Sequence, residues 1–417
     1  MKLQNINDHQ IGPILYIGAI LPSRSETFVY REVLALRDDG VEVIVASVHR
    51  PERNLGSPKT DALEREAIRI YEKGGGRLLF DALHSIIRNP FRSVQVISQA
   101  FLDAASIKKC TLMQRVKIMW QCLAAMALAR RVRGRRIKHI HAHMAHVPAT
   151  IAMYCSKQLG TTFSFTGHAA DLFVQRTLLE EKLKRSSFTA CISNWHRKFY
   201  QGLVKLPDEN FPIVRCGVDT AEFSPTERSK KVSRFQVLAV GRLVEKKGFD
   251  ILIESIAALE KKQIEFDCSI VGDGPQRDTL EKLISRNHLK SRVRLLGAKD
   301  NGEIRSLLNN CDLFVLPCRV GTSGDKDGIP VVLMEAMACE VCVISGDIET
   351  IRELVISEKT GLMVAPGVRE DLTQGMQRLI EDDKLRDRLS KAGREWVVRE
   401  FSIQQTVKKL EEAFVGR

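Results

Sequence analysis

Apolar runs of strand length alternate with longer amphipathic stretches along most of the chain, and this alternation is the first indication of its architecture. Residues 14–19 (ILYIGA) read as a strand, 27–38 as a helix and 42–47 as the next strand. The second half repeats the scheme, with strands over 235–240, 266–271 and 313–317 and helices over 248–261 and 275–287. Strands separated by helices pair in parallel, so the pattern predicts an α/β protein of two doubly wound, Rossmann-like halves, with ligands at the carboxyl ends of the strands. The short, proline-bearing stretch 207–225 marks the boundary. The expected organisation is a first domain over 1–206, a second over 207–386, and helices over 387–417, of which 403–415 packs back on the first domain. A chain of 417 residues suits two such domains and a cleft. No fixed-period repeat or low-complexity tract interrupts it.

The apolar stretch 11–21 follows a polar leader without a basic segment and is too short to cross a bilayer, so neither a signal peptide nor a membrane span is expected. Residues 120–128 are apolar enough for a buried or interfacial helix. Localisation is expected to be cytoplasmic, with a peripheral contact to the inner face of the membrane. Ten cysteines fall mostly singly in apolar runs, which fits reduced thiols better than a disulfide framework. Cys339 and Cys342 form a lone CxxC without the second pair that a zinc site needs.

Charge is unevenly spread. Residues 1–200 carry 30 Lys+Arg against 16 Asp+Glu, and residues 201–417 carry 34 against 35. The excess concentrates in the region 88–138, where Arg130, Arg131, Arg133, Arg135, Arg136 and Lys138 follow an apolar stretch. Such a patch suits anionic lipid headgroups or a diphosphate-bearing acceptor, and equally a solvated basic face. Sparse aromatic residues argue against a nucleic-acid partner.

Two segments of the second half carry candidate chemistry. Residues 241–248 (GRLVEKKG) sit where a strand gives way to a helix. Arg242 offers a fork to phosphate oxygens, Lys247 a point charge, and the next helix its amides. Replacing Lys247 is therefore expected to cut turnover and spare the fold. Residues 324–338 (GDKDGIPVVLMEAMA) place Pro330 in a first helical turn, Asp327 in the loop before it and Glu335 inside the helix. The amides of Gly328 and Ile329 would point at an anion, and Glu335 could accept from ribose hydroxyls. Alternatively, Asp327 caps the helix and Glu335 is solvated. Asp325-Lys326-Asp327 also spells the DxD that holds a divalent ion on a different fold. That pattern is frequent by chance, and Arg242 and Lys247 already supply neutralising charge, so no metal is expected.

The first half contributes imidazoles. Residues 163–171 (FSFTGHAAD) deliver His168 at the end of an apolar strand. His139, His141 and His143 alternate so that three rings share a strand face, with His146 following. Zinc is one reading of that row, and an acceptor-side His143 at the strand end is the favoured one.

Together these residues resemble the retaining glycosyltransferases of family 4, which have the GT-B fold. The resemblance rests on 241–248, 271–275 (VGDGP), 327–338, 360–362 (TGL) and 165–171, and covers nearly the whole chain. Residues 21–28 (LPSRSETF) and 321–335 look more narrowly like bacterial exopolysaccharide transferases of the colanic-acid type. The resemblance implies that Arg242 and Lys247 hold the donor pyrophosphate, Glu335 the ribose, Asp327 the sugar hydroxyls, and His168 the reacting sugar. It also implies that Gly272, Gly274 and Gly297 shape the nucleotide pocket and that Thr27, His143 and Asp171 lie on the acceptor side. The family's usual acidic pair is Glu, seven residues, Glu, whereas here the first is Asp327, one methylene shorter.

The implied activity is retaining, metal-independent and cofactor-free transfer of a hexose from a nucleotide diphosphate sugar, UDP-hexose by resemblance, to a lipid-linked or oligosaccharide acceptor in surface-polysaccharide synthesis. The alternative of another class is a non-catalytic sugar-binding or assembly subunit on the same fold, suggested by the Asp327 departure. A nicotinamide oxidoreductase is disfavoured because no Gly-x-Gly-x-x-Gly turn follows a strand.

Overall fold

The computed structural model describes residues 11–416 apart from 25, 54, 56, 73, 108–110, 169–171, 173–175 and 228–233. The chain divides into two compact units, Met1–Arg215 with Thr406–Arg417, and Cys216–Gln405.

The first unit is built on a parallel sheet of β1 (Ile14–Gly18), β2 (Val43–Ser47), β3 (Ile68–Arg69), β4 (His139–His143), β5 (Thr162–Thr166) and β6 (Phe188–Ala190), in the order β3-β2-β1-β4-β5-β6. The second repeats the plan with β7 (Phe235–Val240), β8 (Phe266–Val271), β9 (Val293–Leu295), β10 (Leu313–Leu316), β11 (Cys342–Gly346) and β12 (Leu362–Val364), in the order β12-β11-β10-β7-β8-β9. Each order reverses once, between β1 and β4 and between β7 and β10. At such a reversal the connections leave in opposite directions and open a crevice at the strand ends.

The central strands are fully buried, so they read as continuous apolar runs rather than as alternating ones. β4 is the exception: Ile140 and Ala142 enter the core, while His139, His141 and His143 occupy the other face. The helix Leu112–Val132 is started by a capping box of Thr111 and Gln114 and is buried without interruption from Ala124 to Ala129. Its small side chains let it pack closely against the helices Gly74–Arg88 and Val147–Leu159.

Two expectations need correction. The helix Asp383–Glu400 stays with the second unit, because Leu385, Leu389 and Val397 are buried where it packs on the helix Val331–Ala338 and β11. The chain joins the first unit only from Thr406, within the helix Ile403–Val415, where the Phe414 ring packs on His139, His141 and Phe188. The basic run is also partly structural. Arg130 and Arg131 pair with the buried Asp81, and Arg131 donates further to the carbonyls of Arg69 and Ile70. The nine described cysteines are free and buried, and burial pushes the Cys339 and Cys342 thiols up to about 12.

Backbone stitching holds the loops at the β7 and β8 ends. Gly241 N donates to Val271 O (2.9 Å), Leu243 N to Asp273 O (3.0 Å) and Gly272 N to Gly297 O (2.9 Å). Gly272 has φ 139°, and a Cβ there would lie 1.9 Å from Gly241 O. Gly272→Ala should therefore cost roughly 2–4 kcal/mol in a denaturant titration. Gly76→Ala, inside a helix where a Cβ meets open space, should be neutral or stabilising in the same measurement.

Candidate active site

In the second unit the loops after β7 and β10 are neighbours because their strands are paired. Lys247, at the end of the short turn Glu245–Lys247, reaches across to Asp327, with Nζ 2.9 Å from Oδ2. Lys246 lies 3.5 Å from Asp327 Oδ1 and 3.0 Å from Asp325 Oδ2, so one ammonium bridges both carboxylates of the DxD. Cys318 Sγ donates to Asp327 Oδ2 (3.3 Å), and Thr350 Oγ1 to the Asp327 carbonyl (2.7 Å). Gly248 closes the turn with φ 69°, and a Cβ there would lie 2.2 Å from Pro317 O.

Burial by itself would discharge both members of the pair. At Lys247 burial is the largest single effect, but Asp327, by charge and hydrogen bond, with Cys318 and Asp325, together outweigh it, and the pKa ends above the ordinary lysine value. Lys247, then Lys246, outweigh it at Asp327, whose carboxyl ends below the ordinary range. Both groups are therefore ionised at neutral pH. Pro330 stands at the N-cap of the helix Val331–Ala338, without a side-chain cap, so Asp327 is not the helix cap. Glu335 is buried inside that helix rather than solvated. Gly328 and Ile329 precede the helix, with Ile329 buried. Arg242 is exposed, and its guanidinium makes no hydrogen bond or ion pair with any described residue.

In the first unit a buried polar row follows from register. His139, His141 and His143 of β4 lie opposite Thr162, Ser164 and Thr166 of β5. His139 bonds Thr162 and Ser164 (2.7 and 2.6 Å), and His141 bonds Ser164 and Thr166 (2.7 and 3.1 Å). His143 turns elsewhere. Its Nε2 lies 3.0 Å from Glu32 Oε1 and 2.9 Å from the Tyr16 hydroxyl, and its Nδ1 lies 3.1 Å from His168 Nε2. Tyr16 also donates to Glu32 Oε1. Burial, then the neighbouring imidazoles, hold His141 and His168 well below the ordinary histidine value, and burial pushes His139 down to about 4.

The alternating row does not form the three-histidine zinc set, since His139 is taken up by Thr162 and Ser164. Among the described residues, Glu32, His141 and His143 do bring ligand atoms within 4.8 Å of one another. His146 Nδ1 accepts from the Val147 amide, and burial with Lys182 pushes it down to about 4. Thr27 begins the helix Thr27–Asp38, and the next residue, Phe28, sets its ring 4.7 Å from that of His168. Asp171 lies outside the described residues.

Sequence reasoning missed Glu32, Tyr16 and Lys246. For Glu32 the signal was present: it falls with Val29, Val33 and Leu36 on the buried stripe of its helix, where an acidic residue needs a partner. The expectation that replacing Lys247 spares the fold also changes, because removing this largely covered cation leaves the buried Asp327 carboxylate with Lys246 as its one remaining cation among the described residues.

Lys247→Met should destabilise by roughly 2–5 kcal/mol, toward the lower end because Lys246 remains beside Asp327. The Asp327 share is present above the unfolded carboxyl pKa and is lost as pH falls through the lower folded value. The Lys247 share is present below the unfolded lysine pKa and is lost as pH rises through the higher folded value. The gap between wild type and Lys247→Met in urea titrations should thus be widest near neutrality and shrink in acid, below about pH 4. A gap independent of pH would count against the pair.

Comparison with known proteins bears on the family and the fold. Residues 221–396 match the family described as Glycosyl transferases group 1. The chain is 34% identical over 200 residues to the putative colanic acid biosynthesis glycosyltransferase WcaL of Escherichia coli K12, covering 48% of this chain and 49% of that one. It is 31% identical over 224 residues to the amylovoran biosynthesis glycosyltransferase AmsK of Erwinia amylovora, covering 52% and 54%. The match thus spans about half the length of these curated relatives. Among solved structures, Anabaena HepE in complex with UDP is similar over 97% of this chain and 100% of that one, at TM-score 0.71 and 15% identity. The chain therefore carries a glycosyl transferases group 1 domain at residues 221–396, on a GT-B fold.

Proposed function

We propose that the protein is a retaining hexosyltransferase of family 4 that uses a nucleotide diphosphate sugar, UDP-hexose, without a divalent ion, to extend a lipid-linked or oligosaccharide acceptor during exopolysaccharide synthesis. One observation carries the reading: at the reversal point of the second sheet three cations, Arg242, Lys246 and Lys247, stand against two carboxylates, Asp325 and Asp327, which pair with the lysines and leave Arg242 exposed and unpaired among the described residues. The similarity to transferases of colanic acid and amylovoran synthesis supports the pathway class. The fold shared with HepE, solved with UDP and with UDP-glucose, supports the donor class.

In this reading Arg242, Lys247 and the amides of Gly328 and Ile329 hold the pyrophosphate, with Gly272, Gly274 and Gly297 shaping the nucleotide pocket. Glu335 holds the ribose, and the ionised Asp327 accepts from sugar hydroxyls. The C1–O bond breaks with its electron pair going to the departing phosphate oxygen, through an oxocarbenium-like state. The acceptor hydroxyl attacks the same face and gives its proton to that phosphate. His168 serves the reacting sugar, and Thr27, His143 and Asp171 serve the acceptor.

Arg242→Ala should lower turnover of a UDP-hexose by about 10²- to 10³-fold, with an unchanged denaturant midpoint. Wild-type turnover should persist in EDTA. Full activity of the variant would remove Arg242 from the mechanism, and loss of activity in EDTA would overturn metal independence. Donor binding without turnover would favour the assembly-subunit reading.

The proposed acceptor brings the protein to the inner face of the cytoplasmic membrane. No helix among the described residues is long and apolar enough to cross a bilayer. Twelve exposed large apolar side chains nevertheless fall between Leu79 and Trp120, against four elsewhere among the described residues. Phe80, Leu83 and Ile87 line the outer side of the helix Gly74–Arg88, and Phe91, 86% exposed, lies in the first turn of the next, Pro90–Ser106. Beside them a cavity of about 560 Å³ is lined by Arg88, Arg92, Arg130, Arg133 and Arg136, with no carboxylate in its wall. Apolar side chains ringed by arginines fit insertion among anionic headgroups.

The protein should co-sediment with vesicles containing phosphatidylglycerol, more weakly at high salt, and Ile87→Glu/Phe91→Glu should abolish the binding. Absence of binding at low salt would exclude the membrane contact.

A further inference from the structure

We infer that Glu32 is a positioning residue that acts through His143 to fix the tautomer and orientation of His168. The inference rests on the reading of His168 given above, and it uses residues that the donor chemistry leaves unexplained.

The hydrogen-bond chain runs one way. Glu32 Oε1 accepts a hydrogen bond from the Tyr16 hydroxyl and a second from His143, whose Nε2 lies 3.0 Å away. His143 therefore carries its hydrogen on Nε2. With the hydrogen on Nε2, Nδ1 is the acceptor, and the atom facing it at 3.1 Å is His168 Nε2. His168 must donate there, which puts its hydrogen on Nε2 and its lone pair on Nδ1. Through this chain one carboxylate influences, two rings away, which nitrogen of His168 carries the hydrogen.

The surroundings hold the chain in register. Glu32, Tyr16, His143 and His168 are all buried, and Phe28 packs its ring on both imidazoles. The four come from four elements, β1, the helix Thr27–Asp38, β4 and the loop after β5, so no short sequence motif announces them. His141, with its nitrogens bonded to Ser164 and Thr166, stands beside the chain. Its engagement there favours the relay over a metal ion shared by Glu32, His141 and His143, which would require His141 to give up one of those bonds.

The test combines kinetics with ¹⁵N NMR of histidine-labelled full-length protein, which separates protonated from unprotonated ring nitrogens. In the wild type His168 should show a protonated Nε2 and an unprotonated Nδ1. The opposite tautomer would overturn the inference without any variant. Glu32→Gln should lower kcat about tenfold or more while leaving the donor KM within about twofold, and should mix the His168 tautomers. Unchanged kcat and tautomer in Glu32→Gln would overturn the relay, even where His168→Ala is inactive and the reading of His168 stands. Full activity of His168→Ala would instead remove His168 from the reaction, while the tautomer in Glu32→Gln still decides the relay. A stoichiometric divalent ion in purified wild type, lost in Glu32→Gln, would replace the relay with a metal site.

Discussion

Parallel strands joined by right-handed crossovers leave one place in a sheet where neighbouring connections depart in opposite directions, and the candidate chemistry of this protein depends on that constraint. In the second unit the pairing of β10 with β7 lets a lysine some seven residues past one strand meet an aspartate some eleven residues past the other. In the first, the pairing of β1 with β4 brings Tyr16 to His143, 127 residues away. Neither contact is local, and each would vanish under a different strand order.

The two candidate sites, one in each unit, solve the problem of buried polarity differently. The second keeps its charges and pairs them. Each of Lys247 and Asp327 holds the other ionised against burial, and Lys246 adds a further cation. Such a pair is a weak source of net stability, since desolvation consumes much of the attraction, but it fixes two loops at one spacing. The first unit avoids charge along its histidine row. The rings of His139 and His141 are satisfied by hydroxyls of β5, and burial and mutual repulsion disfavour protonation of His141 and His168. A buried polar row is tolerable only when nearly every donor and acceptor is matched, and the β4–β5 register supplies that match.

The periodicity of the chain carried most of the fold. Helices 27–38 and 403–415 and strands 235–240 and 266–271 follow directly from apolar spacing, because those elements are long and bury one face or both. What composition could not reveal was the use made of each polar residue. Arg130 and Arg131 looked like surface charge in a basic run, yet a single aspartate, Asp81, 49 and 50 residues away, draws both inward. The helix over 383–400 could not be assigned to a unit from its own pattern, because an amphipathic stripe states that a face is buried and not against what. Lys247 and Asp327 were recognisable singly as phosphate and sugar ligands, but their mutual contact depends on strand order, which no local motif encodes.

Glu32 shows where further reading of a sequence can reach. An acidic residue on the buried stripe of an amphipathic helix contradicts the hydrophobic pattern around it, and folding can accommodate it only if a donor waits on the facing element. The facing element here is the sheet, whose β4 breaks its own apolar pattern with three histidines. Two violations of the same rule, separated by more than a hundred residues, therefore predict each other: the carboxylate needs hydrogen-bond donors, and an imidazole on a buried face needs a partner for each nitrogen. Matching such violations between elements assigned to one sheet locates polar contacts that neither segment suggests alone.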